Sequence, residues 1–399
     1  MSTQSTNDQP HIAIVGGGIC GPVLLLTLAK RGIPATLYER DDAIDARGHL
    51  GGMLDLDWET GQRALRENGL QDEFLKHARR DAEELKLGGK DGVVLFHHQG
   101  SKPSADVENL KNERPEIDRR VLRKLLYAAL PQDSIKWGHA LTSVKPLEGG
   151  QHELTFSNGL VTVADFLVGA DGAHSRIRAL LSPATPIYQG ISGAEILLSP
   201  EVAALPENSD ISNSVGKGSY FVTEDSKVMA FQRNGDGRIR AYVWMNKDID
   251  WVLPSDPKEA KQLLLDSYAD WAPWMRKFIS LCDEEAMYPR PLFHLPVGHR
   301  WPHKAGVTII GDAAHLMAPF AGAGANLAMV DALDLGLVLS EVVSKGLQGE
   351  EKEAAIAGWE EKMLARGEHW ASITMLSAQG FFSPDAPHAV VAMFKQFMG

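Results

Sequence analysis

Apolar positions along this chain change their spacing from region to region, and each spacing predicts a different element. His11-Ile-Ala-Ile-Val15 is an unbroken apolar run that stops at Gly16-Gly-Gly-Ile-Cys-Gly21, a buried strand running into a glycine turn. From Pro22 to Lys30 the residues are mostly apolar at helical length, and Gly32 is a natural stop. Ala35-Thr-Leu-Tyr-Glu39 predicts a second strand. Strand, turn, helix and strand fit within about 30 residues, the size of one βαβ unit. Trp58 to Asn68 and Arg119 to Leu130 read as helices, the latter with Val121, Leu122, Leu125, Leu126 and Ala129 on one face. Residues 153–163 read as two short strands about a turn at Ser157-Asn-Gly159, and Asp165-Phe-Leu-Val168 runs into a second glycine turn.

From about 186 to 289 helical spacing fades and strand-like runs take over: Ser219-Tyr-Phe-Val-Thr, Lys227-Val-Met-Ala-Phe and Arg238-Ile-Arg-Ala-Tyr-Val-Trp. Asn234-Gly-Asp-Gly237 between the last two is a strong hairpin signal. This stretch predicts a mostly β insertion, and Trp244, Trp251, Trp271 and Trp274 suggest that it walls an apolar cavity. Val307-Thr-Ile-Ile310 returns as a buried strand, a helix is expected from Asn326 to Val343, and residues 351–399 predict a long terminal helix with a short ending.

Composition narrows the function classes. The chain has 399 residues, 44% hydrophobic and 23% charged, an ordinary globular balance for one large and one smaller domain. A net charge of −12 argues against a nucleic-acid partner. Cys20 and Cys282 make neither a disulfide framework nor a metal motif, so no metal is expected. The polar start Met1 to Pro10 reads as a disordered lead, and no apolar run reaches the roughly 20 residues that cross a bilayer. A cytoplasmic monomer acting on a small molecule is the expectation.

Chemistry concentrates in the glycine turns. Gly16-x-Gly18-x-x-Gly21 has dinucleotide spacing: a tight turn, a close approach to pyrophosphate, and close helix–strand packing. Glu39 ends the next strand, placed to hold ribose hydroxyls. The motif alone leaves NAD and FAD open. Asp171-Gly172-Ala-His-Ser175-Arg-Ile-Arg178 places an acid at a strand end, suited to ribityl hydroxyls. Gly311-Asp312-Ala-Ala-His315 leads to Pro319-Phe-Ala-Gly322-Ala-Gly324-Ala-Asn326, whose backbone N–H groups at a helix start suit an anionic flavin edge.

In this order the three motifs resemble the class A flavoprotein monooxygenases, the aromatic-hydroxylase family. The resemblance implies an α/β fold: a Rossmann-like FAD-binding domain (1–85, 106–184 and 290–350), an inserted β-sheet substrate domain (86–105 and 186–289) and the terminal helix (351–399). It implies FAD, NADPH or NADH, O2 and an aromatic or polycyclic phenolic substrate. The oxygen would pass through a C4a-hydroperoxyflavin, with no catalytic side chain. A narrower resemblance, to the tetracycline-inactivating TetX-like enzymes, rests on Tyr38-Glu-Arg40-Asp, Gly51-Gly-Met-Leu-Asp55, Pro115-Glu-Ile-Asp-Arg119 and the Gly311–Gly322 stretch. It implies that Arg40, Asp55, Arg119 and Asp312 contact FAD, that Arg47 contacts the nicotinamide cofactor, and that the Pro319-Phe320-Ala-Gly322 loop touches substrate. The chain departs from that family around Gln189–Glu195, and Lys227 stands where an arginine would grip a tetracycline. An FAD-linked reductase and a non-catalytic flavin sensor remain as alternatives. Other conspicuous residues have plainer readings: His315 as a packed histidine, His97-His98 on an exposed loop, Cys20 as a buried filler, and Trp271 and Trp274 as packing.

Overall fold

The computed structural model describes residues 10–46, 51–100, 111 and 113–398. Arg47, the start Met1 to Gln9, residues 101–105 of the expected insertion and residues 106–110 of the expected FAD-binding domain lie outside the described residues.

Parallel strands form the first sheet in the order Val307–Ile309, Phe166–Gly169, Ile12–Val15, Ala35–Tyr38, Ile135–Lys136. Val15 lies opposite Gly169, and Gly169 opposite Ile309, so three strands end level at one edge. A parallel sheet needs both faces covered, which is why its strands are continuous apolar runs. Helices Cys20–Ala29, Arg119–Ala128 and Gly324–Lys345 pack here, with the lower half of the terminal helix Gly349–Phe381 adding Ile356, Trp359 and Met363. Leu24, Leu26 and Leu28 are at most 1% exposed, and each such side chain contributes roughly 1.5–3 kcal/mol. The helix expected from Trp58 begins at Gly61, where the Asn326 side chain accepts from its N–H.

The second sheet runs Tyr288–Pro289, Ile191–Leu198, Ile239–Asn246, Lys227–Arg233, Ser219–Glu224, Leu85–Gly88, Val94–His98. Asn234 to Gly237 turns the hairpin as expected, and Asp118, just ahead of helix Arg119–Ala128, accepts from Asn234 Nδ2 (2.6 Å) and Gly235 N (3.0 Å), anchoring it. Residues 186–289 are less purely β than their sequence suggests. Helices Ser209–Val215, Pro257–Ser267 and Pro273–Leu281 cover one face with Ile211, Leu264, Met275 and Phe278. Trp271 and Trp274 belong to this face, away from the glycine turns, so they wall no cavity on that side. Lys227 also points this way, donating to Ser267 O at 2.7 Å, and grips nothing on the opposite face. His97 and His98 lie on the edge strand, not a loop, because residues 94–98 complete the ladder of 85–88.

Candidate active site

The level edge of the parallel sheet gathers the motifs. Gly16 has φ +113°, and a Cβ there would collide with the Ala170 carbonyl oxygen, so the first and second turns touch. Arg178, 3% exposed, joins the second turn to the third: Nε donates to Ala313 O at 2.7 Å, and Nη2 donates to Ala173 O at 2.8 Å and Asp312 O at 3.2 Å. Cys20 donates to Ala328 O at 3.0 Å beside Gly311. Burial pushes its thiol well up, which leaves it a small inert filler. Gly16, Asp171 and Asp312 therefore border one place.

Gly17 is held harder than the glycines of the spacing motif. Its N–H donates to Glu39 Oε2 at 2.5 Å, and its carbonyl accepts from Tyr127 OH at 2.9 Å and Arg123 Nε at 3.1 Å. Glu39, 3% exposed, also accepts from Asp41 N at 2.9 Å, so it braces the turn as well as standing at its strand end. Gly18 is different: no heavy atom lies within 4 Å of a Cβ placed on it, and the same is true of Gly172 and Gly324. Gly21 packs against the Gly16 carbonyl, and Arg40 is exposed just beyond Tyr38 and Glu39.

Asp171 accepts from Arg176 N at 2.8 Å through one oxygen, while the other is buried with no protein partner. Burial raises its pKa, only partly offset by hydrogen bonds from Ser175 and the following backbone. Asp312 is exposed at the start of the short helix Asp312–His315. His315, as expected, is packed: 8% exposed, with Nε2 2.5 Å from Asp331 Oδ2.

A second group faces this edge. Asp55 ends the strand Met53–Asp55 and pairs with Arg114 at 2.7 Å; burial raises its pKa against the pull of that guanidinium. Gly322 is left-handed (φ +63°), and a Cβ there would lie 3.4 Å from Asp55 Oδ1. Asn326 ties the two segments, donating to Asp55 O at 2.8 Å and accepting from Asp57 N at 3.0 Å. Arg119 is exposed; its N–H donates to Gly52 O at 3.1 Å and its aliphatic stem lies against Gly51.

The inner face of the second sheet meets this group. Gly52 sits against Gln232 Oε1 and Tyr242 OH. Tyr242 stacks on Trp244 (5.0 Å between centroids), and Phe320 meets Trp244 at 5.5 Å, Phe381 at 5.4 Å and Phe382 at 5.7 Å. Pro319, beside it, is exposed. Deeper in the sheet, Glu195 (1% exposed) pairs with Arg240 (2% exposed) and with Arg290, whose Nε lies 2.7 Å away. A small cleft, lined by Gln189, His294, Met317, Ala318, Thr374 and Met375, lies beside this group.

Several of these residues carried no assigned role in the sequence. Arg178 and Asn326 stand inside quoted motifs, yet what they hold is 135 and 271 residues away. Arg114, Glu195, Arg240 and Arg290 have no local motif to announce them. For a dinucleotide the residues present fit well. Open space lies where Cβ atoms would stand at Gly18, Gly172 and Gly324, the helices Cys20–Ala29 and Gly324–Lys345 start without side-chain caps, and Asp171 keeps a buried acceptor unused.

The comparisons with known proteins agree. Residues 9–372 match the family model described as an FAD binding domain. Monooxygenase asqM of Emericella nidulans is 30% identical over 377 residues, spanning 81% of this chain and 82% of that protein. Monooxygenase penA of Penicillium thymicola is 29% identical over 373 residues, spanning 81% and 83%. Among solved structures, Klebsiella pneumoniae HpxO complexed with FAD and uric acid aligns with a TM-score of 0.77 at 19% identity, covering 97% of this chain and 92% of that one. The tetracycline destructase Tet(51) aligns with a TM-score of 0.71 at 17% identity, covering 98% and 96%. The fold, the motif edge and the sequence match together place this chain in the FAD binding domain family, as an FAD-dependent monooxygenase of the aromatic-hydroxylase type.

Proposed function

We propose that this enzyme uses NADPH or NADH and O2 to hydroxylate an aromatic or polycyclic phenolic substrate held between the glycine edge and the inner sheet face. The observation that carries the reading is the buried, unpartnered oxygen of Asp171 at an edge where Gly16, Asp171 and Asp312 converge. Gly16, Gly18 and Gly21 would receive the pyrophosphate at the start of helix Cys20–Ala29, with Glu39 and Arg40 toward the adenosine. A carboxylate has about four acceptor sites, so Glu39 can hold a ribose hydroxyl beside its backbone partners. Asp171, Gly172, Asp312 and Gly324 would take the ribityl and ring end, with Asp55 and Arg119 flanking it. Bound FAD supplies the redox chemistry, accepting hydride from the nicotinamide and activating O2 for insertion of one oxygen atom.

The chain's own part is to orient and to keep water out. Tyr242, Trp244, Phe320 and Phe381 form an aromatic wall suited to a flat ring system. Gln232 and Arg290 offer donors to a carbonyl or phenolate on it. Oxygen-electrode assays of the FAD-loaded enzyme, with NADPH and NADH against tetracyclines and phenolic polyketides, test the proposal. Substrate-stimulated oxygen uptake with a product heavier by one oxygen is expected. Flavin reduced without any oxygen-coupled product would instead favour a reductase, and flavin that no nicotinamide reduces would favour a sensor.

A further inference from the structure

Asp331 is fully buried in the middle of helix Gly324–Lys345, yet it carries three partners. Its Oδ2 accepts from Gly311 N at 3.2 Å and from His315 Nε2 at 2.5 Å, the first and last bonds of one short turn. Its Oδ1 accepts from Arg366 Nη2 at 2.9 Å, and Arg366 belongs to the terminal helix. The other side of that guanidinium lies 3.2 Å from Asp334, which in turn holds Arg63 at 3.0 Å. The next residue along the terminal helix adds a second constraint. A Cβ on Gly367 would stand 3.0–3.2 Å from the Cβ, Cγ and Cδ2 atoms of His315, so the helix presses directly on that ring. A buried carboxylate tolerates its position only while its cations remain in place, because a lost partner leaves charge in a poorly polarisable interior. The Gly311–His315 turn is thus shaped by residues that come from far along the chain and touch none of its outward groups.

We propose that Arg366 and Gly367 are positioning residues for the Gly311–His315 turn, so that FAD is held tightly only when the terminal helix is docked against His315 and Asp331. The inference rests on the flavin cradle proposed above and extends it to a helix that otherwise serves the core and the aromatic wall. Arg366 sets the carboxylate that draws Gly311 N–H and His315 together. Gly367 supplies the clearance that lets the imidazole reach that carboxylate.

The test measures FAD dissociation constants by quenching of flavin fluorescence, alongside thermal melting of the apoprotein. Arg366→Gln and Gly367→Ala should each weaken FAD binding about tenfold or more, and Arg366→Lys should recover binding to within about threefold of the parent. Asp312→Ala, which alters the turn directly, serves as the reference. If Asp312→Ala weakens FAD binding while Arg366→Gln and Gly367→Ala lower only the melting temperature, the terminal helix is merely structural and the inference is overturned. If Asp312→Ala also leaves binding unchanged, the cradle itself is misplaced. Should Arg366→Gln fail to fold, Asp334→Asn decides the matter: it leaves the Arg366–Asp331 pair but frees the outer half of the guanidinium. It should weaken binding by about threefold, and unchanged binding would overturn the inference.

Discussion

Arg178 and Ala313 are joined by a 2.7 Å hydrogen bond from the Nε of one to the carbonyl of the other, across 135 residues of sequence. The same guanidinium reaches the carbonyls of Ala173 and Asp312, so one buried cation holds two loops at a common depth. Replacing Arg178 with Met removes the charge and leaves these carbonyls short of a donor. A loss of about 2–4 kcal/mol is expected, with purified protein depleted in flavin. Chemical denaturation with the flavin-to-protein absorbance ratio checks it; a variant as yellow and as stable as the parent would show that the loops hold each other without Arg178.

Neighbouring glycines should separate folding from cofactor capture. Gly17→Ala meets Tyr127 OH and Glu39 at once, and should cost both apoprotein stability and FAD affinity. Gly18→Ala meets nothing within 4 Å, so the apoprotein should melt normally while FAD binds at least about tenfold more weakly. Equal behaviour of the two variants would contradict the assignment of Gly18 to the pyrophosphate.

Glu116 predicts a pH dependence of unexpected sign. It lies across the strand pair from Asp55, and burial first, then the Asp55 charge, raise its pKa well above the usual carboxylate range despite Arg79 and Arg114. A raised carboxyl pKa means that the folded state holds the proton more tightly than the unfolded chain. Stability from this group is present below the ordinary glutamate pKa and is lost as pH rises through the folded value. Glu116→Gln should therefore be close to neutral near pH 4 and increasingly stabilising toward pH 8, by roughly 1–3 kcal/mol, because the buried Oε2 has no hydrogen-bond partner to favour its ionisation. Melting curves across that range decide it; a stabilisation that shrinks with rising pH would refute the account.

Glu195 is the counter-charge of two guanidinium groups. Glu195→Gln takes away the carboxylate that faces both Arg240 and Arg290, and about 3–5 kcal/mol should be lost. Arg290→Lys keeps the charge but loses the planar fork. Once a substrate is in hand, that change should raise KM several-fold with kcat little altered. A fall in kcat at constant KM would assign Arg290 to the chemistry instead.

Phe320→Ala opens the aromatic wall between Trp244 and Phe381. About 3–5 kcal/mol of packing is at stake, and water should reach the flavin side. The measurement is coupling: nicotinamide oxidation with hydrogen peroxide release should rise relative to product. Unchanged coupling would remove Phe320 from the wall.

Much of this architecture was legible because the motifs are local. Glycine spacing, a following strand and a strand-end acid all fall within short windows, and the expected meeting of Gly16, Asp171 and Asp312 is what the strand order produces. Helix Pro257–Ser267 lies in a stretch whose neighbours are strands, even though Asp256 followed by Pro257 is a start signal, and Asp256 does accept from Lys258 N and Glu259 N. The facing of Lys227, Trp271 and Trp274 could not be read, because which side of a sheet meets the cofactor domain depends on register with distant strands. Asp331 and Arg366 were invisible for a related reason. An acid in an apolar helix and a base in a polar one mean little until packing brings them together.

The place of strand Val307–Ile309 at one border of the parallel sheet also sets a clock on biosynthesis. Its hydrogen-bonded neighbour, Phe166–Gly169, emerges from the ribosome well before it, and Ile12–Val15 earlier still. At ~5–20 residues per second the chain waits several seconds or more between the second glycine turn and the third. A nascent chain can close its first βαβ unit early, but it cannot enclose a flavin until the third turn has followed the second out of the ribosome.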